Sequence, residues 1–493
     1  MTDEVPQQST SLRRAMIVLV IAALVQVAVA SLGPLDGDES LYWEWSRHLA
    51  WGYYDHPPGI ALLIHLGTSI FGVTPFGVRI FSLLAGFLAA MLVVVLARRH
   101  GGERAGFRAA LIVSCMPLLP NWLMFATPDA PLFLAEMCVL ILVDSALSAG
   151  RGSSAMRWWI LAGFALGFAA LAKELAILLP AGMFIAFLTH RDLRPRLAEP
   201  GPYVACAIAA VMIIPLALWN RDHDWVLLQF VLHRGLGAEP GNGAGRVLEM
   251  LGGQLALVSP LLLVLLGNAT IRAARAGSAR VHLLAVVALS IFGWFVIAAW
   301  RHQVEPNWLL MAYPAAAIVL AQATASRWFN TATAVGAGFV LVLYMHTVTP
   351  VLPIAALRDP IRRGHGWKEL AAGVDSTRRV FGARATRVAG NRFQEASQLA
   401  FHLADHPFVY SLNIESRPNQ YDFWPGFAQQ AKTGDGLILV VDDVVGVNVV
   451  ERLRPSFDQV TAGARVIAGG DDPVLVPKRL WIFEGWRGTW PAH

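Results

Sequence analysis

This chain is poor in charge, in cysteine and in lysine. Of its 493 residues only 15% are charged while 56% are hydrophobic, and the mean hydropathy is +0.51. A soluble globular domain carries about 25% charged residues, so the shortage argues against one. The net charge of +5 comes from arginines scattered between apolar runs, with no basic stripe, which excludes a nucleic-acid binder. The cysteines Cys115, Cys138 and Cys206 all lie in apolar segments and none belongs to a C-x-x-C pair. That excludes a disulfide framework and a zinc ribbon, and leaves the redox compartment open. No internal repeat and no low-complexity tract interrupts the chain. Lys173 is the only lysine before Lys368.

What is there is apolar. Runs near residues 15–33, 76–97, 105–120, 128–148, 157–171, 174–189, 202–219, 247–267, 281–300, 307–322 and 329–348 predict about eleven transmembrane helices. The run Gly59–Phe71 is too short to span and reads as a helix lying in the interface. Arg13-Arg14, an apolar core and Ala28-Val29-Ala30 imitate a cleaved secretory signal, but the runs that follow favour an uncleaved first span. Alternate loops carry Arg98, Arg99, Arg104, Arg108, then Arg151 and Arg157, Arg191 to Arg196, Arg272 to Arg280, and Arg327. The positive-inside rule makes that side cytoplasmic and places the N-terminus there. An odd span count sends the C-terminus outside. Beyond about Pro350 charge rises, and "TRVAGN", "PFVYSLN" and "GLILVVDD" read as strands with Glu395–Leu403 helical. The expected fold is an all-α polytopic membrane body over residues 1–350 and a small extracytoplasmic, periplasmic α/β domain over residues 351–493.

Polar residues concentrate on the expected outer side. "GDESLYWEWSRHLAWGYYDHPPG" follows the first span and opens with Asp38 and Glu39. A solvated loop acid is the plain alternative, yet acids at interface depth are costly and usually used. Tyr54, Asp55 and His56 precede two prolines, and Pro57 biases His56 toward an extended backbone. An Asp–His pair suits a divalent metal ion, a phosphate or a proton shuttle, and equally a rigid turn ahead of the next helix. Asp129, bracketed by Pro128 and Pro131, reads as a helix N-cap that can also face substrate. Lys173 lies between two short apolar runs. Snorkelling is its plain alternative, but a lone lysine among arginines suits a point-charge clamp on phosphate, with Glu174 expected to pair with it. "WRHQVEPNWLLMAYP" crowds Arg301, His302, Glu305 and Asn307 into one outer loop, either as an interface belt or as a site lining, and "WNRDHDW" is a weaker case of the same. Glu44 and His48 stand one helical turn apart, and a solvated helix face is the expected reading.

Together "GDESLYWEWSRHLAWGYYDHPPG", "ATPDAPLFL", "LAKELAILLP", "GPYVACAIAAVMIIPLALWNRDHDW" and "EPNWLLMAYP" resemble the C-type glycosyltransferases (GT-C). The branch is that of the protein O-mannosyltransferase-like enzymes, with the lipid A aminoarabinose and galacturonosyl transferases among its members. "NQYDFWPG" is also similar to tails of that branch. The resemblance implies a large first extracytoplasmic loop with interfacial helices, a polyprenyl-phosphate-linked sugar donor and inversion at the anomeric carbon. It implies Asp38 as general base and Lys173 on the donor phosphate; Glu39 and Asp129 are catalytic candidates from their own sequence context. Where the aminoarabinose branch has an acidic-Lys-Pro triplet, this chain has Asp55-His56-Pro57, replacing a permanent cation by a titratable one.

The physical reading points the same way. A phosphate leaving group needs a cation at headgroup depth, and a neutral acceptor hydroxyl needs a base. The expected donor phosphate ligands are Lys173, His56 and Arg301; Tyr54, Asp55, His302, Glu305 and Asn307 would line the substrate, and Asp55 with His56 would hold any metal. The expected partners are the lipid-linked donor, membrane lipids and an envelope acceptor: lipid A or core lipopolysaccharide, a cell-wall glycan or a protein. The expected location is the cell (inner) membrane. A transporter or flippase of lipid-linked sugars is the rival reading, in which the same charges would line a pathway. A pure scaffold leaves the lone lysine without an account.

Overall fold

The computed structural model describes residues 5–323, 327–354, 359, 361–382, 385, 387–414, 416–443, 446–467 and 477–490. Contacts divide the chain into two compact units. The first comprises Met1–Ser31, Ala50–Gly67 and Arg79–Tyr344, and the second Leu32–Leu49, Thr68–Val78 and Met345–His493. The acidic stretch is thus split: its first half, with Asp38, packs in the second unit, and its last part, with His56, in the first. Hydropathy alone does not show that division.

The first unit is helical. Among the described residues six helices are long and apolar enough to cross a membrane, and two bent pairs raise the count to at most eight. The expected runs 76–97 and 105–120 fall in one assigned helix, Pro75–Cys115, interrupted at Gly102, where φ is 70°. There the chain turns back on itself. A side chain added at Gly106 would strike Arg98 Cγ, which a straight helix would hold far away. The run 247–267 is not one rod. Gly243–Val258 and Pro260–Ala276 meet at 105° across Ser259, because Pro260 cannot supply the N–H that would continue the helix. The helix Ser153–Ala172 buries Ala155, Ala162, Ala165, Ala169 and Ala172, the small-residue packing by which helices approach closely where water offers no drive to associate. It ends at Lys173, whose backbone is extended (φ −158°, ψ 140°), and a 3-10 turn, Glu174–Ile177, leads into Leu178–Thr189.

The second unit holds a five-stranded sheet of order β2-β1-β3-β5-β4. β1 (Arg387–Gly390) runs parallel to β2 (Tyr410–Ser411) and to β3 (Leu437–Asp442). β4 (Phe457–Val466) and β5 (Lys478–Trp486) pair antiparallel, and β5 closes on β3. β3, "LILVVD", is buried on both faces, as suits a central strand lying parallel to β1 and antiparallel to β5. The helix Phe393–His402 covers this unit's core and also receives the helix Gly37–Arg47. Ser40 and Ser397 hydroxyls meet at 2.8 Å, Gln398 donates to the Leu35 carbonyl at 2.8 Å, and Trp43 stands edge-on to Phe401.

Candidate active site

The break after Ala172 builds the centre of the first unit. Because Lys173 leaves the helical conformation, its side chain turns inward and is only 3% exposed. Its ammonium donates to Asp129 Oδ1 at 2.7 Å. Asp129 Oδ2 accepts from the Trp122 indole at 3.0 Å and from the Asn307 amide at 3.4 Å. Asp129 is the first residue of the helix Asp129–Ser148; Pro128 takes the cap position and no side chain caps that end. The expected capping role is therefore replaced by an ion pair. A buried pair of this kind costs desolvation that its attraction only partly offsets, so it is retained for reasons other than stability. An ammonium has three N–H donors. Asp129 takes one, and no other partner among the described residues engages Lys173.

His56 is brought beside Lys173 by close backbone packing. A side chain added at Gly59 would lie 2.8 Å from the Leu171 carbonyl oxygen and 2.9 Å from Ala172 Cα, so only glycine lets the two segments approach. His56 Nδ1 then faces Glu174 Oε2 at 3.1 Å. Glu174 had been expected to pair with Lys173; the structure gives it to His56 and gives Lys173 to Asp129. Burial alone would lower the proton affinity of His56. The Glu174 carboxylate, with Asp55 nearby, outweighs burial and the opposing Lys173 charge and holds the imidazole above its ordinary value.

An aromatic path continues from this pair. Tyr54 packs against Phe230 (ring centroids 5.4 Å), and the Arg234 guanidinium lies over both Phe230 (5.3 Å) and Trp308 (4.7 Å). Trp308 adjoins Asn307, which reaches Asp129. His302, 4% exposed, contacts Trp308, and its Nε2 is buried without a partner among the described residues. Arg301 and Glu305 are exposed and are not drawn into this group. Arg234 was missed by sequence reasoning. The signal was Phe230 and Arg234 one turn apart on the helix Val226–Leu236, which puts a cation over a ring on one face.

In the second unit, Asp38 is exposed on the first turn of Gly37–Arg47. Glu39 is fully buried, and its Oε2 accepts from Asp36 N at 3.0 Å to complete a capping box with Asp36. The D-x-x-E spacing from Asp36 to Glu39 carried that signal. The capping role leaves Asp38 as the accessible acid of the pair. Glu44 is not on a solvated face: it is buried, pairs with Arg47 at 2.9 Å, and burial pushes its carboxyl up to about 7.

Among the described residues no group of three or more His, Cys, Asp and Glu is placed to hold a metal ion, and His56 Nδ1 is engaged by Glu174.

Residues 55–219 match the dolichyl-phosphate-mannose-protein mannosyltransferase family, a segment that contains His56, Asp129 and Lys173. The match is a likeness over about a third of the chain. A lipid A galacturonosyltransferase, RgtD, of Rhizobium johnstonii is 26% identical over 294 residues, covering 59% of this chain and 61% of that protein. An undecaprenyl phosphate-α-4-amino-4-deoxy-L-arabinose arabinosyl transferase of Pseudomonas aeruginosa is 31% identical over 206 residues, 41% of this chain and 36% of that protein. The matches therefore span less than two thirds of either relative. The crystal structure of ArnT from Cupriavidus metallidurans bound to undecaprenyl phosphate shares the fold, with a TM-score of 0.66 at 16% identity over 97% of this chain and 99% of that one.

Proposed function

We propose that this protein is an inverting glycosyltransferase of the cell membrane, moving a sugar from a polyprenyl-phosphate donor to an envelope acceptor on the extracytoplasmic side. The relatives' names support lipid A as the acceptor class. The matched relatives are transferases, so a flippase is not favoured. We take the orientation from the arginine loops: N-terminus cytoplasmic, second unit periplasmic. The count of about eleven spans that this orientation uses belongs to the same proposal.

The observation that carries the reading is the buried Lys173–Asp129 pair, with donors on Lys173 left over. In the proposed reaction an acceptor hydroxyl oxygen attacks the anomeric carbon, and the bond from that carbon to the phosphate oxygen breaks. The hydroxyl proton passes to Asp38, and polyprenyl phosphate leaves with the bonding pair. Lys173, the His56 imidazolium and Arg234 meet the charge that grows on the phosphate. Asp129, Trp122 and Asn307 hold the Lys173 ammonium in place. An acceptor that is already anionic would need no base.

Mass spectrometry of envelope glycolipids from a deletion strain tests this, because it reports sugar and acceptor together. The reading predicts loss of one sugar from a lipid A species, restored by the wild-type chain and not by Asp38→Asn. Unchanged glycolipids, with lipid-linked sugar accumulating on the cytoplasmic face, would contradict it.

A further inference from the structure

The segment Asn419–Gly426 has no part in the transfer chemistry above, yet it is tightly built. Asn419 Oδ1 accepts from Tyr421 N at 3.0 Å, and Asp422 Oδ2 accepts from Asn419 N at 2.8 Å. The same carboxylate receives the Asn413 amide on both oxygens, at 3.0 and 2.9 Å. Asn413 makes that contact from φ 52°, a left-handed backbone that asparagine adopts more readily than most residues with a side chain. Beside it the Trp424 ring is fixed by three others: His48 at 4.8 Å, Tyr421 at 5.1 Å and Phe408 at 6.2 Å. Trp424 nevertheless stays half-exposed, its neighbour Phe423 is 39% exposed, and its indole N–H has no partner among the described residues. All of these residues belong to the second unit.

We propose that Trp424, Phe423, His48, Asp422 and Asn413 form a saccharide-binding platform that takes the glycan of the acceptor; the word acceptor rests on the function proposed above, the binding does not. A sugar ring has one face of C–H groups and a rim of hydroxyls. The face suits a rigid exposed ring, which immobilises little on binding. The rim suits planar carboxylate and amide groups already locked in orientation, with the indole N–H as a further donor. A membrane-anchoring role for the same rings is disfavoured by Asp422, whose exposed carboxylate would have to enter an anionic headgroup layer with them.

The test uses the full chain in lipid nanodiscs and the deacylated lipid A backbone, a glucosamine disaccharide, as probe, with binding read by calorimetry in the absence of donor. Trp424→Ala should weaken binding about tenfold, Asp422→Asn by a similar factor, and Trp424→Phe should recover most of it. In turnover the same substitutions should raise the acceptor KM and leave kcat and competition by free polyprenyl phosphate unchanged. Wild-type binding by Trp424→Ala, or no binding by the wild type, overturns the platform. So does quenching of Trp424 by brominated lipid, which would make it a membrane anchor. Because calorimetry needs no turnover, failure of the transferase reading would leave saccharide binding intact and so be told apart.

Discussion

Lys173 and Lys478 are both buried, one in each unit, and they are held differently. Lys478 donates to Glu395 at 2.6 Å and to Asp442 at 2.5 Å, with the Trp367 ring below it. Two carboxylates take two of its three donors, and despite burial they raise its proton affinity. It closes the end of a sheet, joining β5 to β3 and to the helix Phe393–His402. Lys173 has one carboxylate, and that carboxylate is shared with Trp122 and Asn307. Lys478 is held by two carboxylates and Lys173 by one, so Lys173 keeps the larger reserve of donors. Burial alone does not tell the two apart; the number of carboxylates does.

The contrast breaks most readily at Lys478. Lys478→Ala strands two carboxylates in the second unit and should destabilise it by about 3–5 kcal/mol, measured by denaturant unfolding of the full chain. Protein that remains folded should bind donor as the wild type does. Donor binding lost in step with Lys173→Ala would erase the distinction.

Glu44 sharpens the comparison by titrating within the same unit. Its folded value of about 7 lies above its ordinary 4.5, so between those values the folded state binds the extra proton. Stability therefore falls as pH rises from about 4.5 to 7, by up to about 3 kcal/mol, and is level above that. Glu44→Gln should remove this slope; an unchanged slope would place its origin elsewhere.

His56 carries the smaller effect. Its proton affinity is raised, so it is imidazolium at pH values below its folded value and loses its charge as pH rises through it. Donor affinity should weaken over the same interval, and His56→Lys should flatten the profile. A wild-type profile that stays flat at every pH above the ordinary value of roughly 6.5 would remove His56 from the phosphate.

Part of this was legible in the residues. Span-length apolar runs announce the long apolar helices, and the lone lysine among arginines is the one the structure buries at 3% exposure. "GLILVVDD" contains β3. The pairings were not legible, because they depend on packing distant in sequence. Lys173 prefers Asp129 to its neighbour Glu174 because the chain is extended at Lys173 and a glycine far upstream brings His56 to Glu174. The bend at Ser259 hid in an unbroken apolar run, since hydropathy does not sense a lost N–H. That the helix after the first span packs on Phe393–His402 was also out of reach: the Ser40–Ser397 contact joins segments with the whole helical body between them in sequence.

The most direct test of the reserve on Lys173 is competition by free polyprenyl phosphate, measured on purified protein in lipid. Trp122 and Asn307 still donate to Asp129 in Lys173→Ala, so that carboxylate is not left bare. One charge-assisted bond is worth about 1.5–3 kcal/mol, so competition should weaken roughly 10- to 150-fold in the variant. Lys173→Arg should recover only part, because a planar fork has a different reach. Equal competition in wild type and Lys173→Ala would show that the free donors of Lys173 meet no phosphate, and the account of the site would fail at its centre.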